Sequence, residues 1–244
     1  MEIVVDTHTH TISSGHAYST IQENAKEALN NGMKMINMSD HGPKLKGAPF
    51  LYHFGNLRVI PDYIYGVRVL KGVELNIINY EGEVDLSEYY LKNLDLVLAS
   101  YHEICIQPAT EEEHTNAAIK VLSNPYIDVL AHSGNPNYQL DIERVVKAAK
   151  DYNKLIEINN QSALVREGSE KNCLEIARMC KKYGVRMTTG SDAHISFDIG
   201  RFNNVTKLLE EADIPEELVV TTSVIKMEEY LLERRKRISH LIND

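Results

Sequence analysis

Several features that mark other classes of protein are missing from this sequence of 244 residues. No apolar run approaches the roughly 18 residues that a membrane span requires. The N-terminus has no basic region followed by an apolar stretch, so we expect no secretory signal peptide. No low-complexity tract and no linker rich in Pro, Gly or Ser marks a domain boundary. We therefore expect one domain over residues 1–244 and no contact with a membrane.

Cysteine is scarce, with three residues in the chain. Cys173 and Cys180 lie seven apart on one predicted helix, about 10.5 Å along its axis, which is too far for a disulfide. Three cysteines form no disulfide framework, and we expect a reduced, cytoplasmic protein. No serine or cysteine forms a recognisable catalytic triad, so we expect chemistry without a nucleophilic side chain.

Positive charge is in the minority: 26 Lys and Arg residues face 35 Asp and Glu residues, which gives a formal net charge of −9. Nucleic-acid binding depends on cationic contacts to phosphate, so a nucleic-acid partner is not expected. A basic run at residues 233–237 is interpreted as the solvated face of a helix. Bound metal ions would reverse the charge locally, and the resulting cationic pocket in an acidic protein would suit a small anionic substrate.

The sequence does contain a regular alternation of short apolar runs and helical stretches, which is typical of βα units and a parallel sheet. Seven strands are predicted, at residues 3–7, 35–39, 67–73, 94–100, 127–131, 155–158 and 186–189. Whether residues 218–222 add a partial eighth strand is left open. Helices are predicted near residues 20–31, 87–92, 111–122, 141–152, 169–183, 201–211 and 224–241. At this length the pattern favours an α/β barrel. The segment 43–66 is long for a connection and is interpreted as a lid or pocket wall.

Side chains that bind metal ions follow almost every predicted strand. Nine of them share this position: His8, His10, His16, His41, Glu74, His102, His132, Asp192 and His194. Side chains two apart on a strand point to the same face, so His8 and His10 can bind one ion together, and Asp192 and His194 repeat the spacing. The strand ends of a parallel barrel meet at one rim. We therefore expect a shared metal site at the C-terminal ends of the strands.

Other residues of the same types receive different assignments. His114 and His240 are expected at the protein surface. Glu157 is expected inside the sheet or paired there, rather than bound to metal. The amides at 159–160 could hydrogen-bond the ligands or the substrate. For His53, packing and ligand-supporting roles remain open, and a metal-binding role is less favoured.

The pattern as a whole resembles the PHP (polymerase and histidinol phosphatase) family, and within it the compact, stand-alone bacterial phosphatase-like branch. The resemblance runs from Met1 to roughly Arg201 and rests on Asp6–His10 (DTHTH), Ser39–Gly42 (SDHG), Gly72–Glu74 (GVE), His102, His132 and Gly190–His194 (GSDAH). It implies a distorted TIM-like (β/α)7 barrel that holds three divalent transition-metal ions. Imidazole and carboxylate ligands without thiolate suit Zn²⁺, and Mn²⁺ or Fe²⁺ are alternatives.

The resemblance also implies how the ligands divide among the ions. The first ion is assigned to His8, His10, Glu74 and Asp192. The second ion shares Glu74 and is also bound by His102 and His132, and the third is assigned to His16, His41 and His194. Two ions that share a carboxylate can activate a bridging hydroxide. Glu74, Asp192 and His194 are the expected catalytic residues.

The expected activity is metal-dependent hydrolysis of small phosphomonoesters. Four alternatives stay open: a histidinol-phosphate phosphatase, a PHP-type nuclease, an amidohydrolase-like hydrolase, and a metal-stabilised scaffold without activity. Candidates for binding the remainder of the substrate are Lys44, His53, Arg58 and Arg166. The sequence leaves a homo-oligomer open and does not name the physiological substrate.

Overall fold

The computed structural model describes residues 1–242, so the last two residues of the expected 1–244 domain lie outside the described part. The strands are β1 (Val5–Thr9), β2 (Met35–Met38), β3 (Tyr63–Ile64), β4 (Val67–Asn76), β5 (Leu96–Ser100), β6 (Val129–Leu130), β7 (Leu155–Asn159) and β8 (Met187–Gly190). The α-helices are α1 (Ile21–Asn30), α2 (Leu51–Asn56), α3 (Glu88–Leu91), α4 (Glu111–Ser123), α5 (Ile142–Asp151), α6 (Ser162–Val165), α7 (Ser169–Tyr183), α8 (Asn203–Glu211) and α9 (Val224–Ile242).

Seven of these strands form a parallel sheet that is nearly closed into a barrel. Their order, β1-β2-β4-β5-β6-β7-β8, follows the chain, and each neighbouring pair is parallel. The chain after β8 returns to β1, where Thr9 forms a parallel bridge with Ala193 and the Asp192 N–H donates to the His8 carbonyl at 2.8 Å. The predicted seven-stranded α/β barrel is confirmed.

The helices begin where the sequence offers side chains that cap them. Thr20 and Glu23 form a capping box at the start of α1, in which each side chain accepts a hydrogen bond from the backbone N–H of the other residue. At the start of α5, the Asp141 carboxylate accepts from the Arg144 N–H at 3.0 Å. Among the described residues, no helix is both long enough and apolar enough to cross a membrane.

Two strands differ from prediction in ways that bear on the candidate site. β4 extends to Asn76, three residues past its predicted end, because its pairing with β5 continues through Asn76 and Ser100. Glu74 therefore lies within the strand rather than after it. The strand β3, which the sequence analysis missed, lies inside the long segment 43–66 and pairs antiparallel with β4.

Residues 218–222 do not form the partial eighth strand. They lie in two 3₁₀ turns, Glu216–Leu218 and Val220–Thr222, with one bridge between Met187 and Val219. The Thr221 carbonyl accepts from the Val4 N–H at 3.0 Å, and the hydroxyls of Thr221 and Thr189 are 2.7 Å apart. The segment therefore forms hydrogen bonds with backbone groups at the base of the barrel, but in a turn conformation rather than as a strand.

The C-terminal helix α9 covers the base of the barrel, and part of its basic run is buried. Tyr230 packs with the apolar side chains of the barrel interior. Arg234 is 2% exposed, and its Nε donates to Asp128 Oδ2 at 2.7 Å. Arg237 also pairs with Asp128. The prediction of a solvated face at 233–237 is therefore wrong for these two arginines, because Asp128 is a buried carboxylate that needs cationic partners.

His114 is a second correction to the sequence analysis. It was expected at the surface but is 1% exposed, on the inner side of α4. Its Nε2 accepts from the Ala109 N–H at 2.8 Å, and its ring lies against Tyr101 and Tyr138. The ring thus accepts a hydrogen bond from a loop amide and packs inside an aromatic cluster. His240 is exposed, as expected.

Candidate metal centre and active site

The structure brings all nine predicted ligand side chains to one rim of the barrel, at the C-terminal ends of the strands. Three overlapping groups have their ligand atoms within 4.8 Å of one another: His8, His10 and Glu74; His41, Glu74 and His102; and His10, His41 and His194. Most of the nine side chains are buried, whereas His16 is exposed and His102 and His194 are partly exposed. The cluster therefore runs from the barrel interior out to its mouth.

Glu74 lies at the centre of the cluster, and its two carboxylate oxygens face different histidines. Oε1 is 2.8 Å from His132 Nε2 and 3.4 Å from His102 Nε2. Oε2 is 3.3 Å from His8 Nε2 and 2.8 Å from His41 Nδ1. The side chain is 1% exposed. Each carboxylate oxygen of Glu74 therefore faces its own pair of histidine nitrogens.

Asp192 completes the inner part of the cluster. Its Oδ1 lies 3.2 Å from His10 Nε2 and 3.5 Å from His8 Nε2. At the mouth, His194 Nε2 lies 3.0 Å from His16 Nε2. The predicted ligands in and after β1 therefore face those of the segment after β8 across the closure of the barrel.

In five of the seven histidine rings, hydrogen bonds fix which nitrogen faces the pocket. The acceptors of Nδ1 are Glu157 Oε1 for His8 (2.7 Å), Ser14 Oγ for His10 (3.1 Å), the Ser14 carbonyl for His16 (3.0 Å), Asn76 Oδ1 for His102 (2.7 Å) and the Asp192 carbonyl for His194 (2.9 Å). Carbonyl and carboxylate oxygens only accept, and the Ser14 hydroxyl already donates its one proton to Asp40, so Nδ1 carries the ring proton. In the neutral form of each ring, Nε2 is left with a lone pair directed into the cluster.

This protonation pattern fits bound metal ions. The Nε2 atoms of His8 and His10 lie 3.1 Å apart, and those of His16 and His194 lie 3.0 Å apart. Two unprotonated Nε2 atoms at that distance repel each other unless a proton or a metal ion lies between them. Glu74 Oε2 and His41 Nδ1 are also buried and lie 2.8 Å apart, but among the described residues neither atom makes a hydrogen bond of normal geometry. Imidazole nitrogen and carboxylate oxygen are ligands that divalent transition metals prefer.

The electrostatics of the cluster also favour metal binding. Burial, followed by the charge of His41, lowers the pKa of His10 to about 3. Burial, followed by the charge of Arg166, lowers the pKa of His132 to about 4. Both rings are therefore neutral at pH 7, which is the form that can bind a metal ion. Burial also acts to lower the pKa of His8, but the three carboxylates around the ring raise it well above its usual value. A metal ion at His8 Nε2 would take the place of that proton.

Glu157 forms hydrogen bonds with two of the predicted ligand residues. It is thus paired inside the sheet, as expected. Its Oε1 accepts from His8 Nδ1, and its Oε2 accepts from the backbone N–H of His132 at 2.8 Å. His132 has a φ of +30°, a conformation that residues other than glycine rarely adopt, so this hydrogen bond holds an unfavourable backbone. Gly190 leaves room for Glu157, because a Cβ at that position would lie 2.3 Å from Oε1.

Asn159 connects Glu157 to a third predicted ligand, Asp192. Its Nδ2 lies 3.2 Å from both Glu157 Oε2 and Asp192 Oδ2. Asp192 has a φ of +55°, so it too is held in a conformation that glycine favours. The amide that the sequence analysis assigned to a supporting role therefore contacts a predicted ligand directly.

Asp40 supports the other side of the cluster, and the sequence analysis missed it. Its carboxylate accepts from the Thr11 N–H and from the Ser14 hydroxyl, both at 2.7 Å. Ser14 Oγ in turn accepts from His10 Nδ1. His53 Nε2 lies 3.4 Å from Asp40 Oδ2, so His53 contacts the supporting carboxylate. The signal was present in the sequence, because Asp40 directly precedes a predicted ligand in the SDHG motif.

The cluster forms one wall of a pocket of about 420 Å³. The pocket is lined by His16, His41, Leu45, Glu74, His102, Gln161, Val165, Arg166, Asp192, His194 and Asp198. Arg166 Nη2 lies 3.7 Å from Asp192 Oδ2, and its Nη1 is buried without a hydrogen-bond partner among the described residues.

Two of the other substrate-binding candidates lie outside the pocket. Lys44 is exposed, and its backbone N–H donates to Asp85 Oδ2 at 2.9 Å. Arg58 lines separate clefts beside Tyr89 and Tyr90. The segment 43–66, which was interpreted as a pocket wall, contributes Leu45 to the lining.

Residues 6–161 match the PHP domain family, and residues 171–220 match a family described as PHP-associated. The chain belongs to the PHP family. The resemblance inferred from the strand-end motifs is thereby confirmed. Both matched regions contribute to the candidate site, because Asp192 and His194 lie in the second region and the other seven predicted ligands in the first.

Curated relatives match the PHP chain over nearly its whole length. A probable phosphatase of Acetivibrio thermocellus is 63% identical over 238 residues, which covers 98% of this chain and 99% of that one. A probable phosphatase of Caldanaerobacter subterraneus is 55% identical over 240 residues, covering 98% and 94%.

Among solved structures, the fold is similar to that of histidinol phosphate phosphatase from Lactococcus lactis, determined in complex with zinc, L-histidinol and phosphate. The TM-score is 0.60 at 17% identity, and the match covers 87% of this chain and 94% of that one. At this level of identity the similarity shows the fold alone.

Proposed function

We propose that this PHP protein is a metal-dependent phosphatase that hydrolyses small phosphomonoesters at a trinuclear site, with zinc as the expected metal. The phosphatase assignment rests on the relatives named probable phosphatases, which align over nearly their entire lengths. The metal assignment rests on one observation above all: two pairs of histidine Nε2 atoms face each other at 3.0 and 3.1 Å. A proton or a metal ion must lie between the two rings of each pair, and the carboxylates of Glu74 and Asp192 beside His8 and His10 favour a metal ion there.

The proposed ligand sets follow the family resemblance. His8, His10, Glu74 and Asp192 would hold one ion, Glu74, His102 and His132 a second, and His16, His41 and His194 a third. When bound, the ions would lower the pKa of a coordinated water and neutralise charge on a phosphate ester. The separate orientations of the two Glu74 oxygens support its proposed bridging role.

The other residues of the pocket would bind and orient the ester. Arg166 has an unsatisfied, buried Nη1 beside the cluster, and a guanidinium is suited to hydrogen-bonding phosphate oxygens. His194 is partly exposed at the mouth, where it would meet an entering substrate. Asp192 would position the inner ion together with His8 and His10. We assign His53 a supporting role through Asp40, because it contacts that carboxylate and does not line the pocket.

The size and charge of the site favour a small substrate. A pocket of about 420 Å³ is within the range of sites for single small molecules. The net charge of −9 disfavours an extended polyanion such as nucleic acid. Histidinol phosphate fits these limits but is one compact monoester among many. The nuclease, amidohydrolase-like and scaffold alternatives become outcomes of the test.

The test combines metal analysis with a substrate panel. Protein prepared without chelator should contain close to three transition-metal ions per chain by elemental analysis. It should hydrolyse phosphorylated metabolites, histidinol phosphate among them, faster than a single-stranded oligonucleotide or a cyclic amide. Faster cleavage of the oligonucleotide would make the protein a nuclease, and turnover of the amide alone would make it an amidohydrolase. Metal-loaded protein without any turnover would indicate a scaffold.

Variants locate the activity within the site. Glu74→Gln should lower kcat/KM more than His16→Asn, because Glu74 is proposed to hold two ions, whereas His16 is an exposed ligand of one. Glu175→Gln is the matched control, since Glu175 is an exposed carboxylate outside the pocket. Wild-type activity in Glu74→Gln would contradict the proposed bridging role.

A further inference from the structure

Asp198 lines the pocket, but it is neither a proposed metal ligand nor one of the residues that hydrogen-bond those ligands. It lies four residues after His194, at the end of the 3₁₀ turn Ser196–Asp198, and it lines the metal pocket. Apart from the predicted ligands, Asp198 and Arg166 are the charged residues in that lining. Arg166 lies against Asp192, whereas Asp198 has no cationic partner within the described residues. The pocket therefore presents one uncompensated carboxylate.

The backbone around Asp198 is fixed on both sides. The Asp198 N–H donates to the Ile195 carbonyl at 3.0 Å, and the Asp198 carbonyl accepts from the Arg201 N–H at 3.1 Å. The turn is tied to the rest of the barrel by Gly200, whose N–H donates to the buried Asp6 carboxylate at 3.0 Å. The turn thus places the Asp198 side chain at the pocket, where its carboxylate has no ion-pair partner among the described residues. Because the backbone of the turn is already ordered, only the side chain would have to be ordered when a ligand binds.

The chemistry around Asp198 differs from that of the ligand cluster. Leu45 and Val165 provide apolar lining, and Gln161 provides a neutral amide. A phosphate group would occupy the metal side of the pocket, which leaves the alcohol portion of the ester for this other side. An alkyl chain that ends in an ammonium group complements both the apolar lining and the carboxylate. A second anionic group would be repelled.

We propose that Asp198 is a specificity-determining residue, which selects phosphomonoesters whose alcohol carries an ammonium group and disfavours those with a second anion. This proposal rests on the proposed phosphatase function, and it adds a substrate class, the aminoalkyl phosphates. The phosphate end is recognised by the metal cluster and Arg166, and the ammonium end by Asp198.

Binding of three phosphonates tests the proposal without requiring turnover. 2-Aminoethylphosphonate, propylphosphonate and 2-carboxyethylphosphonate share a two-carbon spacer and end in an ammonium, a methyl and a carboxylate group. Titration calorimetry on zinc-loaded protein at pH 7 should rank them in that order. The first should bind about five-fold more tightly than the second, the factor that a partly exposed ion pair supplies. In Asp198→Asn, the first two should bind within about two-fold of each other.

Control measurements separate the possible results. Glu175→Gln should keep the wild-type ranking, because that carboxylate lies outside the pocket. The proposal is overturned if Asp198→Asn keeps the wild-type preference, if wild-type protein shows none, or if no phosphonate binds to the zinc-loaded protein. Failure of the proposed function would appear elsewhere, as absence of phosphomonoester hydrolysis in the substrate panel. A phosphatase that ranks the three phosphonates equally would refute the role of Asp198 alone.

Discussion

Replacing Glu157 by Gln should weaken metal binding without changing any proposed ligand. The carboxylate accepts three hydrogen bonds, from His8 Nδ1 at 2.7 Å, from the His132 N–H at 2.8 Å and from Asn159 Nδ2 at 3.2 Å. A Gln side chain has nearly the same shape, but one of its two terminal atoms becomes a donor. It can no longer accept from all three partners.

Both orientations of the new amide disturb the site. If its oxygen faces His8, its NH₂ group meets the donors of His132 and Asn159, and each buried donor without a partner costs about 1–3 kcal/mol. If its NH₂ group faces His8, the ring proton must move from Nδ1 to Nε2, where it blocks the metal. Loss of such a supporting partner commonly reduces metal affinity about 10- to 100-fold. We expect a decrease in that range.

The assay is competition for zinc between the protein and a chromophoric chelator, with circular dichroism to show that the variant is folded. Glu175→Gln, the same substitution at an exposed position, should retain wild-type affinity. If Glu157→Gln is folded and binds zinc within two-fold of wild type, then the carboxylate does not hold the ligands in position, and the reasoning from its hydrogen bonds is wrong.

Two further predictions concern stability and thiol reactivity. Asp128→Ala should lower the free energy of unfolding in urea by about 3–5 kcal/mol, because it leaves buried guanidinium groups unpaired. As a control, Lys181→Ala, which removes an exposed ion pair, should lower it by less than about 1 kcal/mol. Similar losses in the two variants would contradict a buried role for the ion pair between Arg234 and Asp128. Burial raises the pKa of Cys105 from 9.0 to about 11, and that of Cys180 further, so at pH 8 the Cys105 thiolate fraction falls about a hundredfold. A disulfide reagent should therefore react slowly at pH 8 until the protein is unfolded. Reaction of Cys105 at the rate of a free thiol would contradict the raised pKa of its thiol.

The barrel and its ligand cluster could be predicted from sequence because both depend on local patterns. An apolar run followed by His or Asp marks the end of a buried strand, and the ends of parallel strands meet at one rim. That rule needs no knowledge of the connections between strands. It places His41, His102 and His132 in one cluster around Glu74, as the structure does, without knowledge of how the strands pair.

The supporting contacts could not be predicted in the same way, because they join residues that are distant in the sequence. Glu157 and His8 are 149 positions apart, and Arg234 and Asp128 are 106 apart. In the sequence, Glu157 is an acid within a strand and Arg234 belongs to a charged run. Burial distinguishes them from ordinary surface charges, and burial at these positions depends on how β7 and α9 pack against the barrel.

The division of the ligands along the chain has a consequence for the site as a whole. The region that matches the PHP domain ends at residue 161, whereas Asp192, His194 and Asp198 lie in the PHP-associated region. β8 belongs to this second region, and the segment that follows it closes the barrel against β1 through the Thr9–Ala193 bridge. Neither region alone therefore contains both the closed barrel and the nine side chains. The segment after β8 therefore closes the barrel, carries two of the proposed ligands and continues into the turn where Asp198 lines the pocket.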